Sequence, residues 1–299
     1  MTRSVPHGTP ARATINGIEI VYDTFGHATS PPLLLNAGWG GQMIAWDEEF
    51  CAQLAARGHW VIRYDYRDMG LSTKLDGAGV LDIPALQEAM ARGEAVEVPY
   101  TLRDMMDDAV GLLDVLGVES AHLVGSSMGA GIAQLMAIHH PSRVRTMTLL
   151  GSTTDDPKLP APPHEVLTVL LKPSPADREG YIESFVEKRL VLHGTSLPFD
   201  EGRIRERARR IFDRGLCPDG AARQLAANIA TGSLKDELRS TKVPTLVIHG
   251  SEDPFGIEHG IDTADTIPGA ELLIIEGMGH GLPPDVWPQV IEAIARHAV

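Results

Sequence analysis

Apolar residues gather in short runs separated by longer mixed stretches, and that rhythm sets the first expectation about the fold. Runs at 32–36 (Pro-Leu-Leu-Leu-Asn), 60–64 (Trp-Val-Ile-Arg-Tyr), 121–124, 146–151, 244–249 and 271–276 are mostly apolar. Runs of this length, bounded by turn residues, read as strands buried on both faces. Helical periods lie between them, clearest over 102–116, where Met105, Ala109, Leu112, Leu113 and Leu116 share one face. Strands alternating with helices predict a parallel sheet covered on both sides. The beginning differs, because 13–15 and 18–22 flank Asn16-Gly17, a two-residue hairpin signal. The sheet is therefore expected to start antiparallel.

The rhythm breaks from 152 to 238. Pro157, Pro160, Pro162 and Pro163 open this stretch, three or four helical segments follow, and no convincing strand pattern occurs. That predicts a helical cap at 152–238 inserted into a core built from 1–151 and 239–299. A second irregular stretch, 73–99, holds a short apolar period from Val80 to Met90, with a helix expected from Pro84. Such a loop leaves the carboxyl edge of the sheet, where ligands bind in this topology. It reads equally as a second lid or as a disordered excursion.

The strand at 121–124 runs into Gly125-Ser126-Ser127-Met128-Gly129 and then a helix. A serine centred in G-x-S-x-G between strand and helix sits on a sharp, strained turn, which makes Ser127 the candidate nucleophile. Ser126, off-centre, reads as a strand-end residue. A hydroxyl needs a histidine base, and the base needs a carboxylate to hold its tautomer. In this arrangement the chain order is Ser, acid, His. Asp253 follows the strand at 244–249 in the turn Gly250-Ser251-Glu252-Asp253-Pro254, and His280 lies in Gly277-Met278-Gly279-His280-Gly281 after the strand at 271–276. Of the 12 histidines, His139 and His140 fit a helix end before Pro141, while packing or surface roles suit His59 and His249 at strand ends. Asp155 and Asp156, after the strand at 146–151, rival Asp253 for the acid, although the pair also reads as opening the next loop. Two backbone N–H groups are needed for the oxyanion. Met128 at the helix start supplies one, and Trp39 in Ala37-Gly38-Trp39-Gly40-Gly41 supplies the other. The alternative for Trp39 is a plain glycine turn carrying an exposed aromatic.

The glycine loop, Tyr64-Asp65-Tyr66-Arg67-Asp68-Met69-Gly70-Leu71-Ser72, the serine elbow, His249-Gly250-Ser251-Glu252-Asp253-Pro254 and Gly277-Met278-Gly279-His280 stand in one order across nearly the whole chain. In these the chain resembles α/β-hydrolases of the compact bacterial esterase type. Within them it is similar to the methylesterases of anthracycline biosynthesis, which share the D-x-R-D-x-G-x-S segment and the G-M-G-H loop. The resemblance implies an α/β-hydrolase fold with a mostly parallel eight-stranded sheet, a cap that covers the nucleophile, and carboxylic ester hydrolysis. Two departures stand out: Trp39 occupies a position where a small residue is expected, and 73–99 is extra.

Composition narrows the picture. The chain has 299 residues, 43% of them hydrophobic, enough for one large core. A formal net charge of −14 argues against nucleic acid or an anionic membrane as partners. Cys51 and Cys217 lie far apart with no metal or disulfide spacing, no signal-like apolar segment opens the chain, and no run of about 18 apolar residues occurs. A cytoplasmic monomer or homodimer acting on a small-molecule ester, without metal or organic cofactor, is expected. The basic run Arg203, Arg205, Arg207, Arg209, Arg210 and Arg214 reads as a solvated helix face paired with acids, or else as an attractor for an anionic substrate. Tyr181, Phe185, Leu192 and Phe199 read as pocket lining or as packing between cap and core.

The expected chemistry is acyl transfer through Ser127, with His280 as base and Asp253 as its orienter. A carboxylate at the elbow would suit an epoxide hydrolase or haloalkane dehalogenase, and serine speaks against both. Perhydrolysis and carbon–carbon bond hydrolysis use the same triad and stay open. A ligand receptor on a hydrolase scaffold is the alternative of another class, disfavoured by the intact triad.

Overall fold

The computed structural model describes residues 5–79, 81–92, 94 and 96–299. The hairpin forms as its turn dictates. β1 (Ala11–Ile15) and β2 (Ile18–Phe25) pair antiparallel with Ile15 opposite Ile18. Asn16 and Gly17 both have positive φ, 50° and 80°, the primed geometry whose twist matches the strands. β3 (Pro32–Asn36), α1 (Glu48–Ala56) and β4 (Trp60–Tyr64) follow, and every residue of both strands is buried. After α2 (Ile83–Ala91) and α3 (Leu102–Val115) come β5 (Ala121–Ser126), α4 (Met128–His139) and β6 (Val144–Leu150). Five helices come next: α5 (His164–Leu171), α6 (Arg178–Val191), α7 (Glu201–Asp213), α8 (Pro218–Thr231) and the single turn α9 (Lys235–Leu238). The chain ends with β7 (Thr245–Gly250), α10 (Ile257–Thr266), β8 (Glu271–Ile275) and α11 (Trp287–His297).

The eight strands form one sheet in the order β1-β2-β4-β3-β5-β6-β7-β8. β2 meets β4 antiparallel, and from β4 onward all pairings are parallel. α1 packs with α11, and α3 packs with α4, which gives the sheet its two helical layers. α4 is apolar on nearly all sides because it is enclosed, with Met128 to Ala137 buried at every position but Gly131. β8 departs from the sequence expectation: as the edge strand it leaves Glu271 and Leu272 exposed and buries only Ile275.

The helical run is five segments long, because α9 adds one turn to the three or four that the pattern predicts. In the irregular stretch at 73–99, α2 spans the helix expected from Pro84 and packs against α8. Val80, at the start of the expected period, lies outside the described residues. The arginines of α7 are held by acids: Arg203 reaches Asp47 at 2.8 Å, Arg205 Glu183 at 2.7 Å, Arg207 Asp47 at 3.4 Å and Arg209 Glu206 at 3.3 Å. Arg210 pairs with Glu48 and Arg214 with Asp65. The basic run is thus a paired face that ties α7 to the start of α1. Tyr181 and Phe185 pack with Phe212, Val21, Met43 and Ile44 in a second apolar cluster between the helices and the sheet.

Candidate active site

β5 ends at Ser126, α4 begins at Met128, and Ser127 alone makes the turn with φ 53° and ψ −122°. An L-residue in that region costs about 1–3 kcal/mol. The neighbours leave no other route. A Cβ on Gly125 would lie 2.3 Å from the Gly129 carbonyl oxygen, and one on Gly129 would lie 2.3 Å from that of Asn36. Close passage of α4 over β3 and β5 therefore requires glycine on both sides. The Ser127 N–H donates to the Leu150 carbonyl at 2.9 Å, and the Ala130 N–H donates back to the Ser127 carbonyl at 2.8 Å.

Asp253 stands just beyond β7 and is buried. Its Oδ1 accepts the Phe255 N–H at 2.9 Å, and its Oδ2 lies 2.7 Å from His280 Nδ1. Burial pushes this carboxyl up, but His280, His249 and the Phe255 N–H outweigh it and hold it below the ordinary value. It stays ionised and fixes a proton on His280 Nδ1, which leaves Nε2 on the far side of the ring as the basic nitrogen. The ring packs over Gly151, where a Cβ would come within 3.0 Å of it. Gly151 directly follows Leu150, the acceptor of the Ser127 N–H, so the serine and the imidazole both lie against the end of β6. The Phe255 ring packs against the imidazole at 4.6 Å between centroids.

The glycine loop completes the cluster. A Cβ on Gly38 would lie 3.5 Å from the Ser127 Cβ, so this loop passes directly beside the serine. Among the described residues neither the Trp39 N–H nor the Met128 N–H has a hydrogen-bond partner, and the latter opens α4, where the helix dipole favours negative charge. The structure thus sets the glycine loop beside Ser127 and joins His280 to Asp253 at the end of the neighbouring strand, while among the described residues no hydrogen bond links the Ser127 hydroxyl to His280. The rival acids lie elsewhere: Asp156 pairs with Lys235 at 2.8 Å, and Asp155 stands exposed beyond the Gly151 turn with φ 52°. Ser126 is the last residue of β5.

Three residues here have partners that no local pattern in the sequence assigns. His249 is buried, with Nε2 3.3 Å from Asp253 Oδ2, which fits the packing half of its reading and not the surface half. Burial drives it below the ordinary histidine value despite the nearby carboxylate, so it is neutral at physiological pH. Glu252 accepts hydrogen bonds from Thr195 and Ser196 N–H groups and hydroxyls, which hold its carboxyl down at about 2. Gln224 of α8, completely buried, accepts the Gly40 N–H at 3.0 Å and donates to the Arg67 carbonyl at 3.2 Å. The conspicuous segment around Asp65 and Asp68 is architectural. Asp65 accepts from Met43 and Leu71 N–H groups, and Asp68 receives two hydrogen bonds of 2.8 Å from buried Arg223.

A strained serine between two tight glycines, at the carboxyl end of the central strand of such a sheet, defines an α/β hydrolase. Over residues 31–285 the sequence matches the alpha/beta hydrolase fold family, and the chain belongs to that family. Among its relatives, rhodomycin D methylesterase DnrP of Streptomyces peucetius is 32% identical over 310 residues, covering 96% of this chain and 98% of its own. A 2-hydroxymuconate semialdehyde hydrolase of Pseudomonas sp. (strain CF600) is 32% identical across 68% of each chain. Among solved structures, the 2-hydroxy-6-oxo-6-phenylhexa-2,4-dienoate hydrolase from Rhodococcus sp. strain RHA1 matches with a TM-score of 0.76 over 98% of this chain and 99% of its own, at 17% identity, a likeness of fold. Among the described residues no helix is long and apolar enough to cross a membrane, and no group of three or more His, Cys, Asp or Glu is placed to hold a metal ion.

Proposed function

We propose that this chain is a serine carboxylic ester hydrolase acting through an acyl-enzyme on small to medium esters, methyl esters among them. The observation that carries the reading is the His280–Asp253 hydrogen bond of 2.7 Å over Gly151, beside a serine held at φ 53°. The Ser127 hydroxyl oxygen attacks the ester carbonyl while its proton passes to His280 Nε2. The Trp39 and Met128 N–H groups hold the resulting oxyanion, and collapse expels the alcohol, which takes the proton from His280. Water then attacks the acyl-enzyme with His280 again as base, and the acid leaves. No metal or organic cofactor takes part. The segment 152–238 serves as a cap on a core of 1–151 and 239–299, with α2 as an added lid element, and the enzyme works in the cytoplasm as a monomer or homodimer. The relative named as a methylesterase, aligned over nearly its full length, supports this choice of bond. Alignment to a semialdehyde hydrolase over 68% of the chain favours carbon–carbon bond hydrolysis as the second reading.

The test is turnover on p-nitrophenyl and methyl esters of graded acyl and alcohol size, alongside a vinylogous 1,5-diketone. Ester turnover by wild type that Ser127→Ala abolishes, while Ser126→Ala retains most of it, is the expected result. Preference for the diketone by orders of magnitude would establish the second reading instead.

A further inference from the structure

The helical segment between β6 and β7 is tied to the loop that carries the second oxyanion donor. The loop closes one bond of its own, from the Gly41 N–H to the Gly38 carbonyl at 3.0 Å, but a turn of this kind can flip its central peptide, here the one between Trp39 and Gly40, and that choice is set from outside. The Trp39 indole N–H donates to the Ala221 carbonyl at 2.7 Å, and the Gly40 N–H donates to Gln224 Oε1 at 3.0 Å. The first bond fixes the Trp39 side chain and the second fixes the peptide plane that follows it. Both partners are on α8, and α8 is itself tied to the core. Arg223 grips Asp68 through two hydrogen bonds of 2.8 Å, and a Cβ on Gly220 would come within 2.6 Å of the Asp68 Cβ. Gln224 is used at both ends and has no exposed surface, whereas a glutamine that only filled space could be replaced by an apolar side chain of the same shape at little cost.

We infer that Gln224 is a positioning residue for the oxyanion hole, and that α8 is the template on which the hole is set rather than a mere cover over it. The inference rests on the serine hydrolase reading given above. Turnover therefore depends on α8 staying seated, and a substrate large enough to lift α8 loses transition-state stabilisation even when it binds.

The test uses Gln224→Met, which keeps the shape and removes both hydrogen bonds, and Trp39→Phe, which keeps the ring and removes the indole donor. Active sites are counted by stoichiometric labelling with a p-nitrophenyl phosphonate, and kcat and KM are measured per labelled site on a short dissolved ester. Loss of one oxyanion donor costs about 10²–10³-fold in kcat, and misdirecting one should cost about 10–100-fold. The expected result is that fall in kcat for each variant, with KM within about threefold of wild type. Affinity for a trifluoromethyl ketone should weaken in parallel, and the double variant should lose less than the product of the two single losses. A residue important only for folding would lower the number of labelled sites and leave kcat per site unchanged, and that result overturns the inference. If Gln224→Met does not fold, Trp39→Phe decides by the same criteria. Failure of the phosphonate to label wild type at all would instead remove the serine hydrolase reading, so the two failures are distinguishable.

Discussion

Ser127→Gly and Ser127→Ala remove the same hydroxyl, yet they should differ in stability. The backbone at 127 sits at φ 53° and ψ −122°, a region that costs an L-residue about 1–3 kcal/mol and glycine nothing. Alanine keeps that cost. Glycine sheds it, loses about 0.5–1 kcal/mol to the greater freedom of its unfolded chain, and gives up the contact of one Cβ. The Ser127 side chain caps no N–H of α4, so no capping bond enters the difference. With mid-range values the glycine variant comes out about 1 kcal/mol more stable than the alanine variant, which corresponds to a Tm about 1.5–2 °C higher in a chain of this length. Calorimetry or thermal denaturation of both variants at one pH measures this, with ester hydrolysis abolished in each. A glycine variant that melts at or below the alanine variant would refute the argument that the turn stores strain to present its side chain.

Asp253→Asn should lower kcat by orders of magnitude, since the amide presents the wrong hydrogen-bonding pattern to His280 Nδ1, while Asp155→Asn and Asp156→Asn stay within a few-fold of wild type; steady-state kinetics on one ester compares them, and equal losses at Asp253 and Asp156 would reassign the acid. Gly151→Ala places a Cβ 3.0 Å from the His280 ring at a φ of 54°, so it should fall in both Tm and kcat, with about 100-fold lost if the ring moves by 1 Å; unchanged kcat would show that the ring is seated by other contacts. The Glu252 carboxyl sits at about 2 rather than its ordinary 4.5 because of its bonds to Thr195 and Ser196, so its contribution is complete above pH 4.5 and declines as pH falls toward 2. The urea stability difference between wild type and Glu252→Gln should therefore be constant above pH 5.5 and smaller at pH 3.5, and a difference independent of pH would remove the ionic tether.

Much of this architecture is legible from local pattern. Asn16-Gly17 specifies its turn, the apolar runs at 32–36 and 60–64 give β3 and β4 to the residue, and the glycines flanking Ser127 announce a crossing too tight for a Cβ. The placement of Asp253 and His280 in turns after late strands follows from chain order. What escapes is long-range and polar. Gln224 lies 184 positions from Gly40, and Glu252 lies 57 from Thr195; Gln224 belongs to no periodic stripe or motif, and the segment that holds Glu252 marks Asp253 without naming a partner for its neighbour. His249 escapes because a histidine at a strand end has several packing uses, and only the turn geometry after β7 brings Asp253 back against it. β8 misleads in the other direction: Leu-Leu-Ile-Ile reads as buried on both faces, but in the edge strand burial grows only along its length, from exposed Glu271 and Leu272 to buried Ile275.

The central claim is that Ser127 is a nucleophile made reactive by His280 and held in a site that stabilises tetrahedral charge. Its most direct measurement is reaction with a p-nitrophenyl phosphonate ester, followed by intact mass and peptide mapping. One phosphonyl group per chain bonded to Ser127, with one equivalent of p-nitrophenol set free as it forms and formation at least about 100-fold slower in His280→Ala, is the expected result. Labelling on Ser126 or another residue, or a rate on Ser127 that does not depend on His280, would contradict it.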